Sequence, residues 1–198
     1  MDKTSYSHPL RIDNVVPVTG AGVIGMSFCP GKKVIGAFSG GNWSRDLELD
    51  MSEIRTWGAN VVLTLLESWE FRDMQVEDLG AAVHNFGIEW RWLEIQDGGI
   101  PEGKVLERWQ LIKSELIDRL QRGERVFVHC RGGLGRTGTL TAEILIELGE
   151  PLDIAMQRIR ATRPGTIETK AQEDYLEKIH PVASMRRLVK PGSPAGST

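Results

Sequence analysis

The stretch Val128-His129-Cys130-Arg131-Gly132-Gly133-Leu134-Gly135-Arg136-Thr137-Gly138 decides how the rest of the chain is read. A cysteine stands six residues before an arginine, three glycines lie between them, and a hydroxyl follows the arginine. In front of it, Arg125-Val126-Phe127-Val128 reads as a strand; behind it, Thr139 to Leu148, rich in Leu, Ile, Ala and Glu, reads as a helix. A strand, a glycine-rich turn and a helix N-terminus form an anion site, because successive backbone N–H groups converge and the helix dipole favours negative charge. The same field favours a thiolate at Cys130 over the thiol, whose reference pKa is about 8.5. The planar fork of Arg136 can hold two phosphate oxygens together. A nucleophile beneath a bound phosphate points to phosphate-ester chemistry.

Outward from this loop, near-continuous apolar runs alternate with helical patterns. Gly22 to Phe28, Asn60 to Leu66 and Ile88 to Ile95 read as strands, the second typical of a strand buried on both faces. Asp50 is expected to cap a helix ending at Gly58, and Val76 to Asn85 reads as a short helix stopped by Gly87. Glu102 to Arg122 is the longest helix, its apolar stripe formed by Val105, Leu106, Trp109, Ile112, Leu116, Ile117 and Leu120. Pro151 opens a helix to about Thr162, and a last one runs from Thr169 to about His180. Strands alternating with helices predict an α/β fold, a single domain with a mainly parallel central sheet flanked by helices. Residues 1–20 read as an extended arm or edge strand, 21–190 as the catalytic domain and 191–198 as a disordered tail.

Composition narrows the function. A net charge of −3 gives no support for nucleic-acid binding, and two cysteines do not make a disulfide framework. Cys29 and Cys130 could pair only with Cα atoms within about 7 Å, which is not expected. The chain opens without a signal-peptide pattern and has no run of 18 apolar residues, so a cytoplasmic, membrane-free protein is expected. The histidines at 8, 84, 129 and 180 and the two cysteines show no metal-ligand spacing, so no metal and no cofactor are expected. The expected partner is a phosphorylated protein, and the expected state a monomer.

Each candidate residue has a physical role and a plainer alternative. Asp97, followed by Gly98, Gly99, Ile100 and Pro101, can give a proton to a leaving oxygen and then act as base, although Asp-Gly-Gly is also ordinary turn chemistry. Asp73, on the loop that carries Trp69-Glu70-Phe71, is the second choice of acid. Thr137 can donate its hydroxyl to the thiolate or cap the helix. His129 can hold the loop through hydrogen bonds or be a satisfied buried histidine. Gln172 can orient the attacking water or lie solvated on a helix. The amides of Arg131, Gly132, Gly133, Leu134, Gly135 and Arg136 are the expected phosphate cradle, with Arg131 facing outward to enlarge the positive field. Arg163 can do likewise or pair with a carboxylate, and Trp69 and Phe71 can line the substrate mouth.

His129-Cys130, five intervening residues and Arg136-Thr137 resemble the signature loop of cysteine-dependent protein phosphatases, with Thr137 where serine is frequent. Asp97-Gly98-Gly99-Ile100-Pro101 resembles the general-acid loop of the dual-specificity branch. Arg163-Pro164-Gly165 and Ile167-Glu168-Thr169-Lys170-Ala171-Gln172 resemble the segment that brings a glutamine to the site. The Gly-Gly-Leu-Gly core, with Cys29-Pro30-Gly31, points to the kinase-associated phosphatase and Cdc14-like group, and the likeness extends from about Val23 to Ile179. The resemblance implies a dual-specificity phosphatase fold and hydrolysis of phosphotyrosine, with phosphoserine and phosphothreonine as further substrates, through a phosphocysteine. Two other readings keep the same loop. An inositol-phosphate or phosphoinositide phosphatase often carries two basic residues within it, and this loop has Arg131 but Leu134. A non-catalytic phosphate-binding scaffold would be expected to lack Cys130, Arg136 or Asp97.

Overall fold

The structure is a computed structural model that describes residues 2–19, 22–36 and 41–179. Five strands form the central sheet in the order β1 (Asp13–Val15), β2 (Val23–Ser27), β7 (Arg125–His129), β5 (Val61–Thr64), β6 (Glu89–Trp92). Only β1 runs antiparallel, against β2, while β2, β7, β5 and β6 are parallel. A two-stranded hairpin, β3 (Lys33–Val34) with β4 (Trp43–Ser44), lies outside this sheet. Seven helices complete the described fold: α1 (Leu47–Trp57), α2 (Ser68–Asp73), α3 (Leu79–Asn85), α4 (Gly103–Gln121), α5 (Gly135–Glu147), α6 (Leu152–Thr162) and α7 (Lys170–Ile179).

The parallel strands are covered on both faces, as their apolar runs require. Along β5 and the two residues after it, Val61, Leu63 and Leu65 join one core while Val62 and Leu66 join the other; Val126 and Val128 oppose Phe127 along β7 in the same way. This is the period of two of a strand. The first core includes the α4 stripe, with Trp109, Leu116 and Leu120 fully buried, and the apolar residues of α5, α6 and α7. The second packs Met51 and Ile54 of α1 and Leu79 and Val83 of α3.

Register places the chemistry. Ser27, His129 and Thr64 pair across β2, β7 and β5, so these three strands end level with one another. The loops after them meet at the carboxyl edge of the sheet, where ligands bind in open parallel sheets.

Four local expectations change. Asp46, not Asp50, caps α1, accepting from Leu49 N at 3.0 Å; Asp50 is buried, accepts from Gly31 N and forms a two-pronged ion pair with Arg45. Residues around Trp69-Glu70-Phe71 are helical in α2, closed by a capping box between Glu67 and Glu70. α3 starts at Leu79, three residues beyond Val76. α5 begins at Gly135 rather than Thr139, which puts Arg136 and Thr137 inside its first turn. The expected tail at 191–198 lies outside the described residues.

Candidate active site

Cys130 follows directly from β7, buried in the sheet edge, and Gly133 N donates to its Sγ at 3.2 Å. That contact needs glycine: Gly133 has φ = 72°, and a Cβ there would fall 2.1 Å from the Ser27 carbonyl oxygen. The loop's carbonyls are held elsewhere. Arg163 donates to Gly133 O at 2.7 Å and Gly132 O at 3.1 Å, and is itself paired with Asp13 at 2.6 Å. Cys29 N and Lys32 Nζ donate to Arg131 O. Lys32 Nζ lies over both the Phe28 and Trp43 rings, 4.5 Å from each centroid, and burial pulls its pKa down to about 8. With its carbonyls engaged, the loop can spend its amides on an anion.

Arg136 is buried and over-determined. Nη1 and Nη2 bond the two oxygens of fully buried Glu70 at 2.6 and 2.9 Å. Nη1 also meets the carbonyls of Leu65 and Ile95, which follow β5 and β6, and Nη2 reaches Asp97 Oδ1 at 2.8 Å. Arg136 Nε and Thr137 Oγ1 are buried with no hydrogen-bond partner among the described residues. Buried polar groups in this state call for a partner, and a phosphate oxygen and a thiolate are groups of the right kind. Thr137 is the third residue of α5, so it is not the helix cap.

His129 is neutral and structural in its contacts. Burial pushes its pKa down to about 3. Trp90 Nε1 donates to Thr64 Oγ1 at 2.9 Å, Thr64 Oγ1 lies 2.8 Å from His129 Nε2, and His129 Nδ1 lies 3.4 Å from the Cys130 carbonyl. A proton on Nδ1 satisfies every group in this chain. The histidine thus ties the sheet to the main chain of Cys130.

Asp97 Oδ1 lies 2.8 Å from Arg136 Nη2, and its carboxylate is the most exposed of the charged groups around Arg136. Glu67 Oε2 holds its amide at 3.0 Å. Gln172 is fully buried, with Oε1 accepting from Glu168 N and Thr169 N, and Nε2 donating to Gly99 O at 3.2 Å. Its carboxamide therefore joins the Asp97 loop to the start of α7, a bracing contact instead of the solvated surface position that was the alternative. Arg131 is half-buried: Asp73 pairs with it at 2.7 Å, and the exposed Trp69 ring centroid lies 5.8 Å from its guanidinium. Asp73 is committed to that pair. Phe71 turns away from the mouth and packs edge-on against Trp90 and Trp92. Cys29 and Cys130 are both free, and burial pushes the Cys29 thiol strongly upward. No group of three or more His, Cys, Asp or Glu side chains among the described residues could hold a metal, and no described helix is long and apolar enough to cross a membrane.

Two residues in contact with the site are not legible in the sequence. Glu70, eight residues beyond the middle of a buried strand, looks like any surface acid; only the tertiary fold brings it to Arg136. Glu168 accepts from Gly135 N at 2.7 Å, on the loop itself. Its place in a segment suspected of reaching the site was the one available signal.

A family model described as "Tc-R-P: Polymorphic toxin system, DSP-PTPase phosphatase" matches residues 42–150. "Protein tyrosine phosphatase type IVA 3" of Bos taurus is 36% identical over 137 residues, covering 69% of this chain and 73% of the relative. "Cyclin-dependent kinase inhibitor 3" of Rattus norvegicus is 28% identical over 138 residues, covering 68% of this chain and 64% of the relative. A crystal structure of kinase-associated phosphatase, its catalytic cysteine replaced by serine, superposes with a TM-score of 0.78 at 24% identity, covering 89% of this chain and 97% of that one. The Cys130 loop, the arginine clamped behind it and these likenesses together place the chain in the family of cysteine-dependent, dual-specificity-type protein tyrosine phosphatases.

Proposed function

We propose that the chain removes phosphate from phosphotyrosine, and from phosphoserine and phosphothreonine, in proteins, by way of a phosphocysteine on Cys130. The observation that carries this is the Gly133 N–H on Cys130 Sγ within a loop whose arginine is clamped by a buried carboxylate. The phosphate dianion rests on the amides of residues 131–136 and on Arg136, whose Glu70 pairing fixes the plane of the guanidinium. Cys130 attacks phosphorus in line; the P–S bond forms as the P–O bond breaks, and Asp97 gives its proton to the departing oxygen. The Thr137 hydroxyl donates to the sulfur as it becomes a leaving group. Asp97, now a carboxylate, takes a proton from water as the water oxygen bonds to phosphorus and the S–P bond breaks, so hydrogen phosphate leaves and the electron pair returns to Cys130 as thiolate.

Protein substrates are supported by the relatives named as protein tyrosine phosphatases and by Leu134, which stands where a second basic residue would suit an inositol phosphate. A cytoplasmic setting, which keeps thiols reduced, suits the nucleophile. The test compares phosphotyrosine and phosphothreonine peptides with a phosphoinositide on the purified protein. We expect turnover of the peptides, the aryl ester fastest, and none by Cys130→Ser, which should still bind phosphopeptide. Turnover confined to the phosphoinositide would overturn the substrate assignment, and near-normal activity of Cys130→Ser the mechanism.

A further inference from the structure

Lys32, in the turn between β2 and β3, is a buried cation with no carboxylate beside it. Buried charges are ordinarily paired, because taking one out of water is costly unless an opposite charge compensates. The other buried cations among the described residues follow that rule. Arg45 lies 2.7 Å from Asp50, Lys113 2.8 Å from Glu143 and Arg136 2.6 Å from Glu70. No described carboxylate pairs with Lys32, whose ammonium meets only the Phe28 and Trp43 rings and, at 3.4 Å, the Arg131 carbonyl. Ring faces attract a cation without neutralising it.

The main chain fixes this lysine from both sides. Gly31 has φ = 69° and lies against Leu47 so closely that a Cβ there would fall 2.7 Å from Leu47 Cβ, and its N–H donates to Asp50 Oδ2 at 2.8 Å. Lys32 O accepts from Arg45 N at 3.2 Å, and Lys33 N donates to Met74 O at 2.9 Å. After burial, the groups that act most on the Lys32 charge are Cys29 and Cys130, which favour the ammonium, and Arg45 and Arg131, which oppose it. The two arginines are compensated by Asp50 and Asp73. Cys29 is fully buried and its thiol is pushed strongly upward, so it keeps its proton. That leaves Cys130 as the anion Lys32 lacks.

We propose that Lys32 is a positioning residue of the phosphatase reaction, its buried charge favouring the Cys130 thiolate and its bond to Arg131 O orienting the loop; this rests on the phosphocysteine reading above. The charge acts on sulfur without touching it, and in surroundings poor in water such an influence is weakly screened. The bond acts on direction. Carbonyl and N–H of a trans peptide point oppositely, so holding Arg131 O against Lys32 turns the Gly132 N–H to the other side, among the amides expected to receive phosphate. The two rings keep the ammonium beside the loop without supplying a competing anion. A carboxylate in their place would cancel the field at sulfur.

Lys32→Met keeps most of the apolar stem and removes the charge. Alkylation of Cys130 by iodoacetamide, located by mass spectrometry and followed against pH, should reach half its maximal rate about 0.5 to 1 pH unit higher than in wild type. The acid limb of kcat/KM for p-nitrophenyl phosphate should move the same way, lowering activity on that limb by about 3- to 10-fold. Lys32→Arg, which restores a cation, should recover most of both shifts. A second measurement leaves Lys32 in place, and decides where Lys32→Met fails to fold. The Lys32 ε-carbon resonance should titrate at lower pH in Cys130→Ser than in wild type, because coupling between two sites is reciprocal. An alkylation midpoint unmoved in folded Lys32→Met, or equal Lys32 midpoints in wild type and Cys130→Ser, overturns the role of Lys32 and leaves the phosphocysteine intact. Turnover that survives Cys130→Ser overturns the phosphocysteine reading instead.

Discussion

At the scale of single residues, the site shows how burial sets protonation. His129 adjoins Cys130, yet it is held neutral by burial, with its pKa near 3 against 6.5 for the free side chain. Its role is to join Thr64 of β5 to the Cys130 carbonyl. The sign of the linkage follows. Between about pH 6.5 and pH 3 the unfolded chain binds a proton at this position that the native one excludes, so stability rises with pH across that window and this contribution is complete above it. At about 1.4 kcal/mol per pH unit, acidification from pH 7 to pH 5 should remove about 2 kcal/mol through this residue. Urea midpoints across that range check the loss, and the imidazole proton resonances of His129 should not move between pH 7 and pH 5. A titration of that ring near pH 6.5 would contradict the buried assignment.

At the scale of elements, the phosphate loop works because its two sides face different partners. Carbonyls turn outward to Arg163, Lys32 and the Cys29 amide, and amides turn inward. Gly133 is the pivot, since its positive φ and the nearby Ser27 carbonyl leave no place for a side chain. Gly133→Ala should therefore push the loop off β2, withdraw the amide from Cys130 and lower kcat/KM for an aryl phosphate by about 10²-fold or more. The backbone conflict should also cost about 2 kcal/mol of stability. Steady-state kinetics beside thermal unfolding checks both. Unchanged kinetics would mean that the Gly133 N–Sγ contact does not assist the thiolate.

At the scale of the whole molecule, α4, α5 and α7 are joined by a buried polar cluster that includes no residue of the Cys130 loop. Glu143 of α5 accepts from Trp109 Nε1 and Lys113 Nζ of α4 at 2.7 and 2.8 Å and from the Tyr175 hydroxyl of α7 at 2.8 Å. Lys113 also reaches Glu147 at 2.6 Å. Removing one partner of a buried ion pair leaves an uncompensated charge, which costs about 3–5 kcal/mol. Lys113→Met should accordingly lower the melting temperature by about 10 °C, while kcat at 25 °C stays close to wild type because no group at the phosphate loop is touched. Calorimetry and an aryl phosphate assay test the two halves. A melting temperature within about 2 °C of wild type would show that the cluster adds little beyond packing.

The local chemistry was legible in the chain because it is contiguous. Strand, glycine turn, cysteine and arginine lie within fourteen residues of sequence, from Arg125 to Gly138, and their spacing alone implies an anion cradle with a thiol beneath it. The parallel sheet followed from apolar runs at Asn60–Leu66 and Arg125–Val128 that only a strand covered on both faces can bury. Asp97 was legible too, since its flanking glycines mark a loop after a strand. Boundaries were less so: α2, the β3–β4 hairpin and the early start of α5 depend on tertiary partners that override weak local preference. The groups that complete the site could come only from three dimensions. Glu70 lies 66 residues from Arg136, and Glu168 33 residues from Gly135. Neither carries any local pattern, because a carboxylate on a helix or in a turn is ordinary until the fold sets a buried cation or a backbone amide against it.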